Sequence, residues 1–267
     1  MIFNVTTMGT ASAMPISDRN PSAQMLSAAG RLFLIDCGEG TQKQMRKCHF
    51  SFVKVEAIFI SHIHGDHLFG LFGLLNSMAM YGRSGALDIY GPQALGGVLN
   101  FYKNYFGSED LYELRFHPLN CKGMEPIHES KHLTVSAFPL NHKIDCFGFR
   151  FDEIVTERHR QENPAYRAKS YAYCSDTAPF PELPDYVRGV SCLYHEATYL
   201  NEMADKAVAR FHSTAGQAAA CALEAGVGKL IVGHYSSRID DIGAVLAECR
   251  EIFPDSFAAS DCDSFDF

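Results

Sequence analysis

Two periods share the chain. Short runs that suit a pleated, half-buried surface occupy residues 2–10 (IFNVTTMGT), 22–30 (SAQMLSAAG) and 31–38 (RLFLIDCG) and predict three successive strands. The last two are joined by a tight turn at Ala29-Gly30. Helical stretches at 39–48, 67–82 and 92–106 then alternate with predicted strands at 55–61 and 87–91. The second of these helices reads as long and apolar, and the third has Pro92 at its start. Residues 113–151 read mostly as strand, with runs at 113–119, 133–140 and 146–151. Strands at 170–176, 192–197 and 229–234 follow, with helices at 214–226 and 242–253, and residues 256–267 predict a last strand. This rhythm implies a layered α/β arrangement. No internal repeat, low-complexity tract or charge block marks a linker, so residues 1–267 read as one domain.

Candidate chemistry stands where predicted strands end. Directly after the apolar run AIFI comes SHIHGDH, residues 61–67, with three histidines and an aspartate in six positions. A core does not favour such residues, because each imidazole or carboxylate placed there needs a hydrogen-bond partner or loses solvation at a cost. A metal ion does favour them, since imidazole nitrogen and carboxylate oxygen suit zinc or a similar ion. In an extended loop residues two apart point the same way, so His62 and His64 can grip one ion. Asp66 and His67, at the mouth of the next helix, can face a second. These four cannot complete two sites. His142 in FPLNHK, Asp176 in YCSDT and His234 in IVGHYSSR lie at other strand ends and are candidate partners, with one carboxylate placed to bridge. Taken singly, each has an ordinary reading as a surface, hydrogen-bonded or turn-capping residue.

His212 precedes Ser213 and Thr214, and Thr214 with Gln217 has the spacing of a capping box. It therefore lies at a helix start, where extra positive charge on an imidazole is disfavoured. For His195 a structural role is the better reading. His49, His117, His128, His132 and His159 have no supporting context and read as surface residues.

Composition narrows the setting. Nine cysteines without a CxxC pair suggest free thiols in a reducing cytoplasm. No apolar run approaches the roughly 20 residues of a membrane span, and the first residues lack the signature of a signal peptide. A formal net charge of −8 argues against broad, sequence-independent nucleic-acid binding, though not against a local basic cleft.

HxHxDH followed by separated His, Asp and His resembles the metallo-β-lactamase superfamily. The match to its tRNase Z (ribonuclease Z) branch is closer and spans nearly the whole chain. MGTASAMP with RNPSA, LIDCGEGTQKQM, IFISHIHGDHLFGLFGLL, LDIYGP, HEATY, FHSTAGQAA and VGHYSSR stand in that family's order. The resemblance implies a four-layer αβ/βα sandwich, two mixed β-sheets flanked by helices, with metals along one edge. It implies zinc, two ions per chain, with manganese or iron acceptable to the same ligands. His62, His64 and His142 would hold one ion, Asp66, His67 and His234 the other, with Asp176 bridging. Asp66 would also receive the proton of the attacking water. Glu196 in HEAT would restore the proton affinity of His212, making His212 the general acid at the leaving 3′-oxygen. The implied reaction is removal of the 3′ trailer of precursor tRNA by a cytoplasmic, homodimeric phosphodiesterase that needs no membrane.

The chain departs from the pattern in one place. Family members insert a long, Gly/Pro-rich basic arm between the positions of His142 and Asp176, and it clamps the tRNA elbow. Here 33 residues separate the two, with no glycine between Gly148 and Gly189. Residues 152–170 carry Arg158, Arg160, Arg167 and Lys169 but also Glu153, Glu157 and Glu162, the look of a short connection with a solvated charged face. An arm-less hydrolase of another RNA or of a small phosphodiester is the first alternative, and a non-catalytic RNA-binding relative the second.

Overall fold

The computed structural model describes residues 3–106 and 112–267; the side chains of Arg158 and His159, and with them the surface reading of His159, lie outside the described residues. Strands β1 (Phe3–Gly9), β2 (Ala23–Ala28), β3 (Arg31–Ile35), β4 (Val55–Phe59), β5 (Leu87–Pro92) and β6 (Leu114–Leu119) build one sheet. Strands β7 (Glu125–Glu129), β8 (Leu133–Pro139), β9 (Phe147–Glu153), β10 (Ser170–Cys174), β11 (Cys192–Glu196), β12 (Leu230–Gly233) and β13 (Ser256–Ala258) build the other. A last strand, β14 (Ser264–Asp266), returns to the first sheet beside β1. Each sheet is mixed. β3 to β6 run parallel, as do β10 to β13, and the remaining pairs are antiparallel.

Side-chain alternation assigns the layers. Phe33, Ala57, Phe59 and Tyr90 from one sheet meet Phe149, Phe151, Tyr171, Tyr173 and Tyr194 from the other in a core between the sheets. The intervening residues turn outward. Leu34, Ile58 and Ile89 pack under the helices α1 (Thr41–Lys47), α3 (Leu71–Met80) and α4 (Leu95–Tyr105), with a four-residue turn of helix, α2 (Gly65–Leu68), just before α3. Ala172, Cys174, Leu193 and Val232 pack under α6 (Leu183–Tyr186), α8 (Ala215–Ala225) and α9 (Ile242–Ile252). Two further short helices, α5 (Glu157–Glu162) and α7 (Ala204–Ala209), lie on connections. Burial on both faces explains why the central strands are apolar almost throughout instead of alternating with polar residues. The result is the four-layer αβ/βα sandwich that the resemblance implied.

Four elements differ from the sequence reading, each for a physical reason. The helix expected over 67–82 is broken at Gly70, whose N–H bonds the carbonyl of Cys37 at 2.9 Å. A Cβ at Gly70 would come within 2.1 Å of the Gly38 oxygen, so only glycine permits this backbone crossing. Pro92 ends β5, paired with Leu119, and α4 starts at Leu95. β7, with Pro126 inside it, is a partly exposed edge strand and lacks the apolar alternation that would announce it. The expected last strand is two strands, β13 and β14, each in a different sheet, with a turn through Cys262 at φ 73° between them.

The connection between β9 and β10 holds only α5 and no projecting arm. Its neck is closed by Glu153, whose N–H bonds the Lys169 carbonyl at 2.9 Å and whose carboxylate receives the Lys169 N–H at 3.0 Å and the Tyr166 hydroxyl at 2.8 Å. Glu153 is therefore buried and not part of a solvated charged face.

Candidate metal centre

Strand ends converge on one edge of the sandwich. The chain leaves β4 through Ile60 and Ser61 and stays extended to His64, which precedes α2 at φ −64° and ψ 149°. His62 and His64 therefore fall on one side, while Asp66 and His67 lie in the first turn of α2. His142 follows β8, Asp176 follows β10, and His234 follows β12 in a left-handed conformation at φ 59°.

The donor atoms gather in two groups. His62 Nε2, His64 Nδ1 and His142 Nε2 form the first, with His64 Nδ1 at 3.0 Å and 3.3 Å from the other two nitrogens. Asp66, His67 and His234 form the second, where Asp66 Oδ2 lies 3.5 Å from Nε2 of both histidines. Asp176 stands between. Its Oδ2 is 3.7 Å from His62 Nε2 and 3.9 Å from His142 Nε2. Its Oδ1 is 3.3 Å from His67 Nε2 and 3.2 Å from His234 Nε2. In each group the donor atoms lie within 4.8 Å of one another. All seven residues singled out in the sequence are thus brought together.

Beneath the donors is a layer of hydrogen bonds that the sequence reading did not assign. Buried Asp36 accepts from Ser61 N–H (2.7 Å), Ser61 Oγ (2.8 Å), His67 Nδ1 (2.8 Å) and Tyr173 OH (2.7 Å). A proton held on Nδ1 leaves His67 Nε2 free to coordinate. His142 Nδ1 likewise donates to the Phe211 carbonyl at 3.2 Å. The Thr198 hydroxyl has one proton and gives it to Glu196 Oε2 at 2.5 Å, so it accepts from His234 Nδ1 at 2.9 Å. Asp66 Oδ2 accepts the backbone N–H of Ala13 at 2.7 Å. Of these, Asp36 carried a legible signal, a lone carboxylate directly after the apolar run of β3.

The charge state of the cluster follows from its crowding. Burial works against ionised Asp66, but the His67 charge and hydrogen bonds from His234 and His67 outweigh it and hold the carboxyl far below its usual range. Asp176 is held low in the same way, against burial, chiefly by His234, His67 and His62. Burial opposes a proton on His67, yet Asp66, Asp176 and Asp36 together drive its affinity up. His62, buried and facing His67, is driven down and stays neutral. Three carboxylates around one imidazole create a field that calls for positive charge, which a proton or a cation can meet. Neutral imidazole nitrogens opposite ionised carboxylates form the donor chemistry of a divalent transition ion.

Beside the donors stands a second device. His212 Nδ1 donates to Glu196 Oε1 at 2.8 Å, and Thr177 N–H reaches the same oxygen at 2.8 Å. Thr214 caps α8 with the capping box the sequence predicted. Burial would lower the His212 proton affinity, but the Glu196 charge and hydrogen bond, helped by Asp176, raise it to about 9. His212 also lies near Asp176 and His234, but its Nδ1 is committed to Glu196. His195 is buried with Nδ1 donating to the Glu196 carbonyl at 2.8 Å, the structural role expected. His117 and His128 are not plain surface residues: His117 Nε2 pairs with Asp88 at 2.7 Å, and His128 Nδ1 lies 3.1 Å from Tyr90 OH.

A cleft of about 940 Å³ opens over the cluster. Lys143, Arg210 and Arg238 line it, together with Tyr199, Phe211 and the 65% exposed Phe69. A chain of net charge −8 thus presents cations and aromatic faces where its carboxylates and imidazoles converge.

Residues 31–235 match the family model described as the β-lactamase superfamily domain. Ribonuclease Z of Bacteroides fragilis is 34% identical over 295 aligned residues, covering 97% of each chain. Ribonuclease Z of Parabacteroides distasonis is 36% identical over 288, covering 94% of this chain and 95% of that one. Both alignments are longer than the 267 residues here, so these relatives hold residues that this chain lacks. Among solved structures, the short form of human tRNase Z aligns with a TM-score of 0.82 at 26% identity, covering 98% of each chain.

Proposed function

The chain belongs to the ribonuclease Z family, within the β-lactamase superfamily, and on that footing we propose that it is a metal-dependent endoribonuclease that removes the 3′ trailer of precursor tRNA. The observation that carries this reading is the division of Asp176, with Oδ2 toward one trio of histidines and Oδ1 toward the other group. His62, His64 and His142 would hold one divalent ion and Asp66, His67 and His234 a second, both zinc, with Asp176 shared. Such a pair supplies Lewis-acid stabilisation of the phosphoryl oxygens and activates water near neutral pH.

The chain's own groups do the rest. Asp66, steadied by the Ala13 amide, takes the proton of the attacking water. His212, kept charged by Glu196, delivers a proton to the leaving 3′-oxygen. Lys143, Arg210 and Arg238 hold flanking phosphates in the cleft. No helix among the described residues is long and apolar enough to cross a membrane. We place the protein in the cytoplasm, with residues 1–267 as one catalytic unit that works as a homodimer.

One observation favours a second reading. The β9–β10 connection is closed at its neck by Glu153 and Lys169 and offers no long arm to a tRNA elbow. The same centre would then serve another RNA or a small phosphodiester. Incubating the metal-loaded chain with a 3′-extended precursor tRNA and, in parallel, with a small chromogenic phosphodiester decides between them. Trimming at the tRNA 3′ end supports the first reading. Brisk phosphodiesterase activity with untouched tRNA supports the second, and loss of neither activity on metal removal would sink both.

A further inference from the structure

Seven of the nine cysteines are buried; the two that are partly exposed, Cys48 and Cys262, are neighbours. Their sulfurs lie 2.7 Å apart although 214 positions separate them in the chain. Each backbone is pinned. Cys48 follows α1 with its N–H on the Gln44 carbonyl at 2.8 Å, and Cys262 gives its N–H to Thr7 of β1 at 2.6 Å. Chance proximity on a mobile surface would leave neither backbone so held.

The pair adjoins a clasp that reaches the metal centre. Asp261 accepts from Thr10 Oγ1 (2.9 Å), Asn20 N–H (2.8 Å), Asn20 Nδ2 (2.8 Å) and Gln44 Nε2 (3.1 Å). It thereby grips both ends of the loop whose Ala13 amide donates to Asp66.

We propose that Cys48 and Cys262 are a modification site, a thiol pair that hydrogen peroxide converts to an intrachain disulfide and so fastens the turn between β13 and β14 to the end of α1. One sulfur attacks a peroxide oxygen, the O–O bond breaks, and a sulfenic acid and water result. The second sulfur then attacks the first, the S–O bond breaks, and another water leaves. Two thiols lose two electrons and two protons, and one peroxide is reduced to two waters. Burial, and then the adjacent sulfur, push the Cys48 thiol up to about 12, so the reaction is slow. Proximity favours the closed product once the first sulfur is oxidised.

The test uses the full, metal-loaded chain. A thiol reagent applied to the native protein is expected to find about two reactive cysteines, the pair itself, and none after hydrogen peroxide treatment. Non-reducing digestion should then yield a peptide pair joining positions 48 and 262, two hydrogens lighter than the reduced pair. Oxidation should raise the melting temperature by roughly 5–10 °C, because the bond closes a long loop. Cys262→Ser should retain one reactive thiol and lose both the linkage and the rise; Cys48→Ser, read the same way, guards against a folding defect in either variant. A linkage between copies, one sulfur driven to sulfinic acid with its neighbour still free, or a linked peptide with no change in melting temperature would overturn the proposal.

Discussion

His212 gives the proton on Nδ1 to Glu196 Oε1 across 2.8 Å, and the receiving carboxylate is wholly buried. Two sequence segments 16 residues apart, one ending β11 and one opening α8, are thereby made into a single acid–carboxylate unit.

The pH dependence of cleavage follows from that unit. Burial acts against the His212 proton, but Glu196 prevails and the folded value is about 9, above the ordinary value of about 6.5. The pair's contribution to stability is therefore complete below pH 6.5 and is lost as the pH rises through about 9. With a substrate whose leaving group needs a proton, the rate should hold up to that pH and fall beyond it. Glu196→Gln leaves only Asp176 to oppose burial, so its alkaline limb should move to lower pH in a pH–rate profile. An unmoved limb would remove His212 from the acid role.

His212→Ala should bind metal normally and slow precursor cleavage by roughly 10² to 10⁴-fold. A phosphodiester with a good leaving group should suffer far less, because that group departs unprotonated. Comparing the two substrates, with metal content measured alongside, separates an acid from a ligand.

Elemental analysis should find about two divalent ions per chain when zinc is not limiting. Asp176→Ala should be the most damaging single donor change, since both groups face that carboxylate, and should lower the count below that of His64→Ala. A count of one or fewer in the parent chain would end the two-ion reading.

Asp36→Ala should weaken metal binding by about 10 to 100-fold, although Asp36 is not a donor, because His67 loses the partner that orients its ring. It also strands Ser61, Tyr173 and His67 in the core, and a stability loss of about 3–5 kcal/mol is expected from chemical denaturation. Metal titration by calorimetry measures the first effect.

Grafting a family arm in place of residues 154–168 should lower KM for precursor tRNA and leave small-phosphodiester hydrolysis unchanged, because remote contacts supply binding and not charge stabilisation at phosphorus. Glu153 and Lys169 must stay, since they close the neck. Improvement of both substrates together would mean the graft had altered the centre itself.

Much of the donor set was legible because metal chemistry demands particular residues at strand ends, and HxHxDH displays four of them in sequence. Thr214 and Gln217 were legible for a similar reason, since a capping box is local. Thr198 was not. Its role rests on Glu196 and His234, the latter 36 positions away, and a lone threonine carries no sign of such partners. The break at Gly70 was hidden because periodicity sees only the helix's own faces, while the obstruction comes from the Gly38 backbone. β7 was hidden because an edge strand needs no apolar alternation, and the two closing strands because their pairing partners lie in opposite halves of the chain.

Those closing strands bear on how the molecule fares during synthesis. β13 completes one sheet and β14 the other, so a chain cut short before residue 256 leaves β12 and β1 both bare. Two strands with a bared edge on one molecule offer two templates for other chains. Incomplete products of this chain can therefore link on both sides and grow into chains of copies rather than stopping at pairs, which makes stalled translation a distinct hazard for the cell that carries it.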